Sequence, residues 1–66
     1  MDDVKELAEE FARLIQERDS IPFHEQETNA RCVEIDEVLI PAIIKRVPRG
    51  TMKEFNTLIN SILGEN

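Results

Sequence analysis

Residues 38–44 read Val-Leu-Ile-Pro-Ala-Ile-Ile, seven uncharged positions in succession within a chain of which 33% is charged. A helix that lays one face on a core carries polar residues on the other, and one apolar all round is normally buried all round. Sixty-six residues supply little with which to bury it, because a domain of this size covers only ~60% of the surface its unfolded chain exposes. The run therefore predicts a second surface, either a copy of the same chain or a different protein, over whatever the chain's own helices leave open.

Length also limits the chain to one domain spanning residues 1–66. Domains this small draw extra stability from disulfides, a metal or oligomerisation. Cys32 is the single cysteine, so no disulfide closes within the chain, and a lone thiol suits a reducing compartment. Met1 is followed by Asp2, Asp3 and Glu6 rather than by a basic start and an apolar stretch, which is unlike a signal peptide. The longest apolar run falls far short of the ~20 residues that a membrane span needs. These features predict a cytoplasmic protein, and they leave oligomerisation as the missing source of stability.

The net charge of −6 is unevenly spread. Residues 1–37 carry twelve acids against four bases, a net −8, whereas residues 38–66 carry four bases against two acids, a net +2. Net charge bears on solubility, partner sign and association rate rather than on the fold. An acidic total argues against general nucleic-acid binding, which needs many cations to release the counterions of the phosphates.

Val4, Leu7, Ala8, Phe11, Leu14 and Ile15 recur at spacings of three and four, which predicts one stripe of a helix over residues 3–18. Asp3 and Glu6 form a capping pair, and the early acids, Asp2 among them, suit the positive end of the helix dipole. Pro22 disfavours helical geometry at Ile21, so residues 19–27 become a connection from which Ile21 and Phe23 are expected to fold back onto the core. Thr28 then caps a second helix over residues 28–46, with Cys32, Ile35, Val38, Leu39, Ala42 and Ile43 as apolar positions.

Pro41 lies inside this second helix. It removes one backbone hydrogen bond and its ring clashes with the Glu37 carbonyl, a cost of ~3 kcal/mol. A kinked continuation is preferred to a stop at Leu39 and a restart with Pro41 in a first turn. Val47-Pro48-Arg49-Gly50 is a break. Thr51 with Glu54 makes a capping box for a third helix over residues 51–63, whose stripe is Met52, Phe55, Leu58, Ile59, Ile62 and Leu63, with Gly64 as the stop. No segment alternates with the period of a strand. The fold class is all-α, a small three-helix bundle, expected as a dimer.

Chemistry-bearing residues are few. His24 stands near Glu25 and Glu27, with Cys32 and Asp36 further on. Structural zinc takes four ligands, mostly Cys and His, and the paired Glu-x-x-His motifs of di-iron bundles do not occur. His24 reads as an exposed loop residue. A Cys32 nucleophile with His24 as base would need a third orienting group and a cleft that excludes water. Cys32 shares its phase with Ile35 and Leu39, which makes it a small core hydrophobe. Glu34, Asp36 and Glu37 project in different directions, and Glu9, Glu10 and Glu17 form a solvated face. No catalytic, cofactor-binding or metal-binding residue is assigned, no cofactor is expected, and the chain does not read as an enzyme.

Two nucleic-acid readings stand beside this. Lys45, Arg46, Arg49 and Lys53 surround the turn into the third helix, on which Asn56 and Asn60 follow, in the outline of a helix-turn-helix. Pro48 is awkward in that turn, the cluster has only four members, and a helix dipole alone favours bases near a helix end. Conversely, the acidic first half has the charge to imitate a phosphate backbone and occupy a nucleic-acid-binding protein.

Glu17-Arg18-x-x-Ile21-Pro22 resembles a stretch in the theta subunit of bacterial replicative polymerase, over six of 66 positions and with no motif behind it, so that it assigns no family. The sequence is best read as a non-catalytic protein-binding module, regulatory, adaptor or inhibitor, of bacterial or phage type. It would pair with itself through Val38, Leu39, Ile40, Ile43 and Ile44, with Ile40, Ile43 and Ile44 as anchors, and bind another protein. No membrane or small-molecule partner is indicated.

Overall fold

The computed structural model describes residues 3–64, in which the regular elements are all helical. Helix α1 is Val4–Asp19, α2 is Ala30–Glu34, α3 is Ile40–Arg46 and α4 is Met52–Gly64. Between α2 and α3 the chain stays helical as a π segment, Ile35–Leu39. Residues 30–46 therefore make one central helix, and with α1 and α4 they form an all-α bundle of three helices. The described residues contain no strand.

Local chemistry sets the ends. The Asp3 carboxylate accepts the backbone N–H of Lys5 at 3.0 Å and starts α1; Asp2 lies outside the described residues. At the far end, Gln26 donates its side-chain amide to the carbonyls of Ile21, at 3.1 Å, and Arg18, at 3.5 Å, satisfying oxygens that a helix terminus leaves open. The connection includes a 3₁₀ turn, Phe23–Glu25. Thr28 was the expected cap of the central helix, but Asn29 performs it. Its side-chain oxygen accepts the N–H groups of Arg31 at 2.9 Å and Cys32 at 3.1 Å, whereas the Thr28 hydroxyl donates back to Glu25.

The expected return of Phe23 to the core does not occur. Its ring is 88% exposed, although Ile21 is half-buried. The inner position of the loop is taken by the Gln26 amide, whose bonds to the carbonyls of Ile21 and, at the end of α1, Arg18 fix the turn with Phe23 on the outside.

The main core is built from Leu7 and Ala8 of α1, Ile43 of α3, and Phe55 and Ile59 of α4, with Phe11, Leu14, Leu58 and Ile62 packed at its margin. Helix α4 lies chiefly against α1, and α3 also leans on α1. Cys32 and Ile35 are wholly covered, so the cysteine sits where the helical phase put it. Gly50, at φ +88°, turns the chain between α3 and α4 in a conformation that a side chain would strain. The Thr51 hydroxyl donates to the Pro48 carbonyl at 2.6 Å across that turn.

The π segment immediately precedes α3, whose first turn holds Pro41. The Ile40 N–H bonds to the Ile35 carbonyl, five residues back, and a π-turn uses one more residue than an α-turn before returning to the same face. In a straight α-helix, five residues would set Ile40 about 140° round from Ile35. The extra residue brings Ile40 toward the covered side, where it is half-buried.

Candidate functional site: the outer face of the central helix

The side chains of the 38–44 run divide according to what the other two helices can reach. Ile43 is 2% exposed and belongs to the core of the protomer. It is not accessible as an anchor for a partner, because α1 and α4 already enclose it. Leu39 and Ile40 are half-buried. Val38, at 59% exposure, and Ile44, at 43%, face outward, with Pro41 half-exposed between them and Ala42 exposed beside it. Val38, Pro41 and Ile44 follow one another at intervals of three, so they are neighbours on the helix surface and form a strip. The outward apolar face is this strip; of the expected anchors Ile44 belongs to it, Ile40 is covered to the same intermediate degree as Pro41, and Ile43 sits behind it.

Charge frames the strip asymmetrically. Glu34, Asp36 and Glu37 precede it, and Lys45, Arg46 and Arg49 follow it, all exposed. Several of these are engaged within the protomer. Arg18 of α1 pairs with Asp36 at 2.8 Å. Arg31 pairs with Glu34 at 2.6 Å and grips both carboxylate oxygens of Glu17. Arg46 approaches Glu10 at 3.8 Å. The Arg31 hydrogen bonds hold the Glu17 carboxyl below the usual carboxylate range, and Glu17 with Glu34 holds the Arg31 guanidinium in its charged form. Arg18 is likewise held charged by its bond to Asp36. These bridges tie α1 to the central helix, and they engage Glu10, Glu17, Glu34 and Asp36 of the acidic half.

The other sequence candidates fall elsewhere. His24, Glu27 and Asp36 line one open depression of about 320 Å³ together with Arg18, Phe23 and Gln26. Cys32 is not exposed to it, being wholly buried, and Asp36 is occupied by Arg18. Among the described residues no three His, Cys, Asp or Glu side chains converge as a metal would require. Lys45, Arg46, Arg49 and Lys53 are exposed around the 47–51 turn. Met52, at 42% exposure, opens α4 beside them. No helix among the described residues is long and apolar enough to cross a membrane.

Sequence periodicity missed Phe23 as an exposed group. The signal was present in Pro22 and in the polar residues after Phe23, which leave an aromatic ring in a loop without an amphipathic helix to carry it. No family model, curated protein or solved structure matches the chain.

Proposed function

We propose that this chain is a non-catalytic protein-binding module that acts as a homodimer and serves a regulatory, adaptor or inhibitory role. The observation that carries the reading is the Val38–Pro41–Ile44 strip, in which Val38 and Ile44 are exposed and Pro41 between them is half-buried. A thin core supports it as well: eight described residues are buried, two of them alanines. A core of that size leaves stability marginal, and association is one of the standard remedies. The remaining acidic surface of α1, with Glu6 and Glu9 exposed, would then favour basic partners and speed their encounter.

The test is solution mass across a wide concentration range for the wild-type chain and for Val38→Asp combined with Ile44→Asp. The wild type is expected to pass from monomer to dimer with rising concentration. The double variant is expected to stay monomeric with unchanged helicity, since both side chains face outward. A wild-type chain that is monomeric at every concentration overturns the homodimer.

A second reading has a specific feature behind it. The exposed Lys45, Arg46, Arg49 and Lys53 around the 47–51 turn match the footprint of a helix-turn-helix, although α4 rests chiefly on α1 rather than on the helix before it. That reading requires a shift of duplex DNA that weakens steeply with salt and vanishes for Arg49→Ala with Lys53→Ala. The mimic reading requires capture of a basic nucleic-acid-binding protein instead. Four carboxylates engaged by the chain's own arginines reduce the acidic surface free to imitate phosphates.

A further inference from the structure

We infer that the occupant of the apolar strip is a second copy of this chain lying antiparallel across it, so that the Glu37 end of one central helix meets the Lys45 end of the other. The inference rests on the homodimer reading and adds the orientation and the groups that fix it.

Symmetry of the strip comes first. Val38 lies three residues before Pro41 and Ile44 three residues after it, both exposed. A two-fold axis near Pro41 therefore lays the strip on its own copy, as a self-complementary interface between identical chains requires. Pro41 and Ala42 at the centre are small, so no long side chain holds two backbones apart at the crossing, and packed helices approach to 8–10 Å.

Charge then chooses the direction. Glu37 lies four residues before Pro41 and Lys45 four residues after it, both exposed. Among the described residues neither takes part in an ion pair or a side-chain hydrogen bond, unlike Glu34, Asp36 and Arg46 around them. They are eight residues and so about 12 Å apart along the axis, too far to pair with each other. A parallel copy would set Glu37 against Glu37 and Lys45 against Lys45. An antiparallel copy sets unlike charges together at both ends, with Arg49 just beyond, and opposes the two helix dipoles favourably. Three apolar side chains do not fill a standard interface of about 800 Å² per partner. The flanking charges therefore matter to register, and the pairing is reversible.

Sedimentation equilibrium of the full chain, its Glu37→Lys and Lys45→Glu variants, and the double exchange tests this. Each single variant turns two symmetric attractions into repulsions and is expected to weaken dimerisation about tenfold. The double exchange restores the unlike pairing and is expected to recover wild-type association, with all differences shrinking at high salt. A wild-type dimer that the single exchanges leave unchanged overturns the antiparallel orientation while the homodimer stands. A double exchange that stays as weak as the singles does the same. A wild-type chain that never dimerises overturns both.

A second readout does not depend on charge. Spin labels at Ala30→Cys, with Cys32→Ala, are expected about 33 Å apart in the antiparallel pair. A separation near the helix spacing of about 10 Å would mean a parallel pair and sink the orientation.

Discussion

Phe11 of α1 meets Phe55 of α4 edge to face, with ring centres 5.5 Å apart and planes at 82°. This is the favourable geometry for two aromatic rings, the positive edge of one against the negative face of the other. It lies at the seam where α4 rests on α1, and Phe55 is the largest wholly buried side chain. Phe55→Ala is expected to cost ~3–5 kcal/mol, comparable to the whole stability of a small domain. Phe23→Ser removes an exposed ring and is expected to change stability by no more than about 0.5 kcal/mol. Urea unfolding of the two variants checks the contrast, and similar losses would mean that the loop aromatic packs after all.

Acid substitutions along the apolar run separate its two sides. Ile43→Asp places a carboxylate inside the core and is expected to abolish the far-ultraviolet helical signal, because a buried charge without a partner is severely unfavourable. Ile44→Asp and Val38→Asp are expected to keep the helical signal, since water reaches both positions. Loss of helicity in all three would contradict the division between the outward strip and the buried side.

Removal of the Asn29 cap is expected to cost about 1 kcal/mol, because two backbone N–H groups lose their acceptor. Thr28→Ala should cost less, its hydroxyl being occupied with Glu25. Thermal unfolding of Asn29→Ala and Thr28→Ala decides which residue begins the central helix.

The Glu17–Arg31 pair gives a pH dependence with a definite sign. The hydrogen bonds from Arg31 lower the Glu17 pKa in the folded chain from its ordinary 4.5. Its contribution to stability is therefore present above the unfolded value and is lost as pH falls through the folded one. Carboxyl titration by NMR is expected to place Glu17 below the ordinary glutamate value, and Arg31→Ala to return it there. A Glu17 that titrates at the ordinary glutamate value in the wild type would mean that the bridge does not persist in solution.

Much of the fold was legible from spacing alone. The stripes Val4 to Leu14 and Phe55 to Leu63 repeat at three and four, and both helices lie where those residues predict, because an amphipathic stripe needs only one neighbour to cover it. Asp3 was readable as a cap for the same local reason. Cys32 was assigned to the covered side by its phase with Ile35. The candidate site was legible only as a run. Which members of 38–44 are accessible depends on how far α1 and α4 reach around the central helix, and on the extra residue of the π-turn that rotates Ile40 inward. Composition holds neither quantity.

What the sequence by itself determined is the all-helical class, the three helical segments, the Asp3 cap and the surplus of apolar side chains in the middle third. These follow from interactions between residues no more than a turn or two apart. Tertiary structure alone decided that Ile43 is core and Val38 surface, that Arg18 of α1 takes up Asp36, and that Arg31 of the central helix takes up Glu17. Those outcomes rest on contacts between segments far apart in the chain, where packing space and charge geometry, rather than local preference, set which side chain is covered.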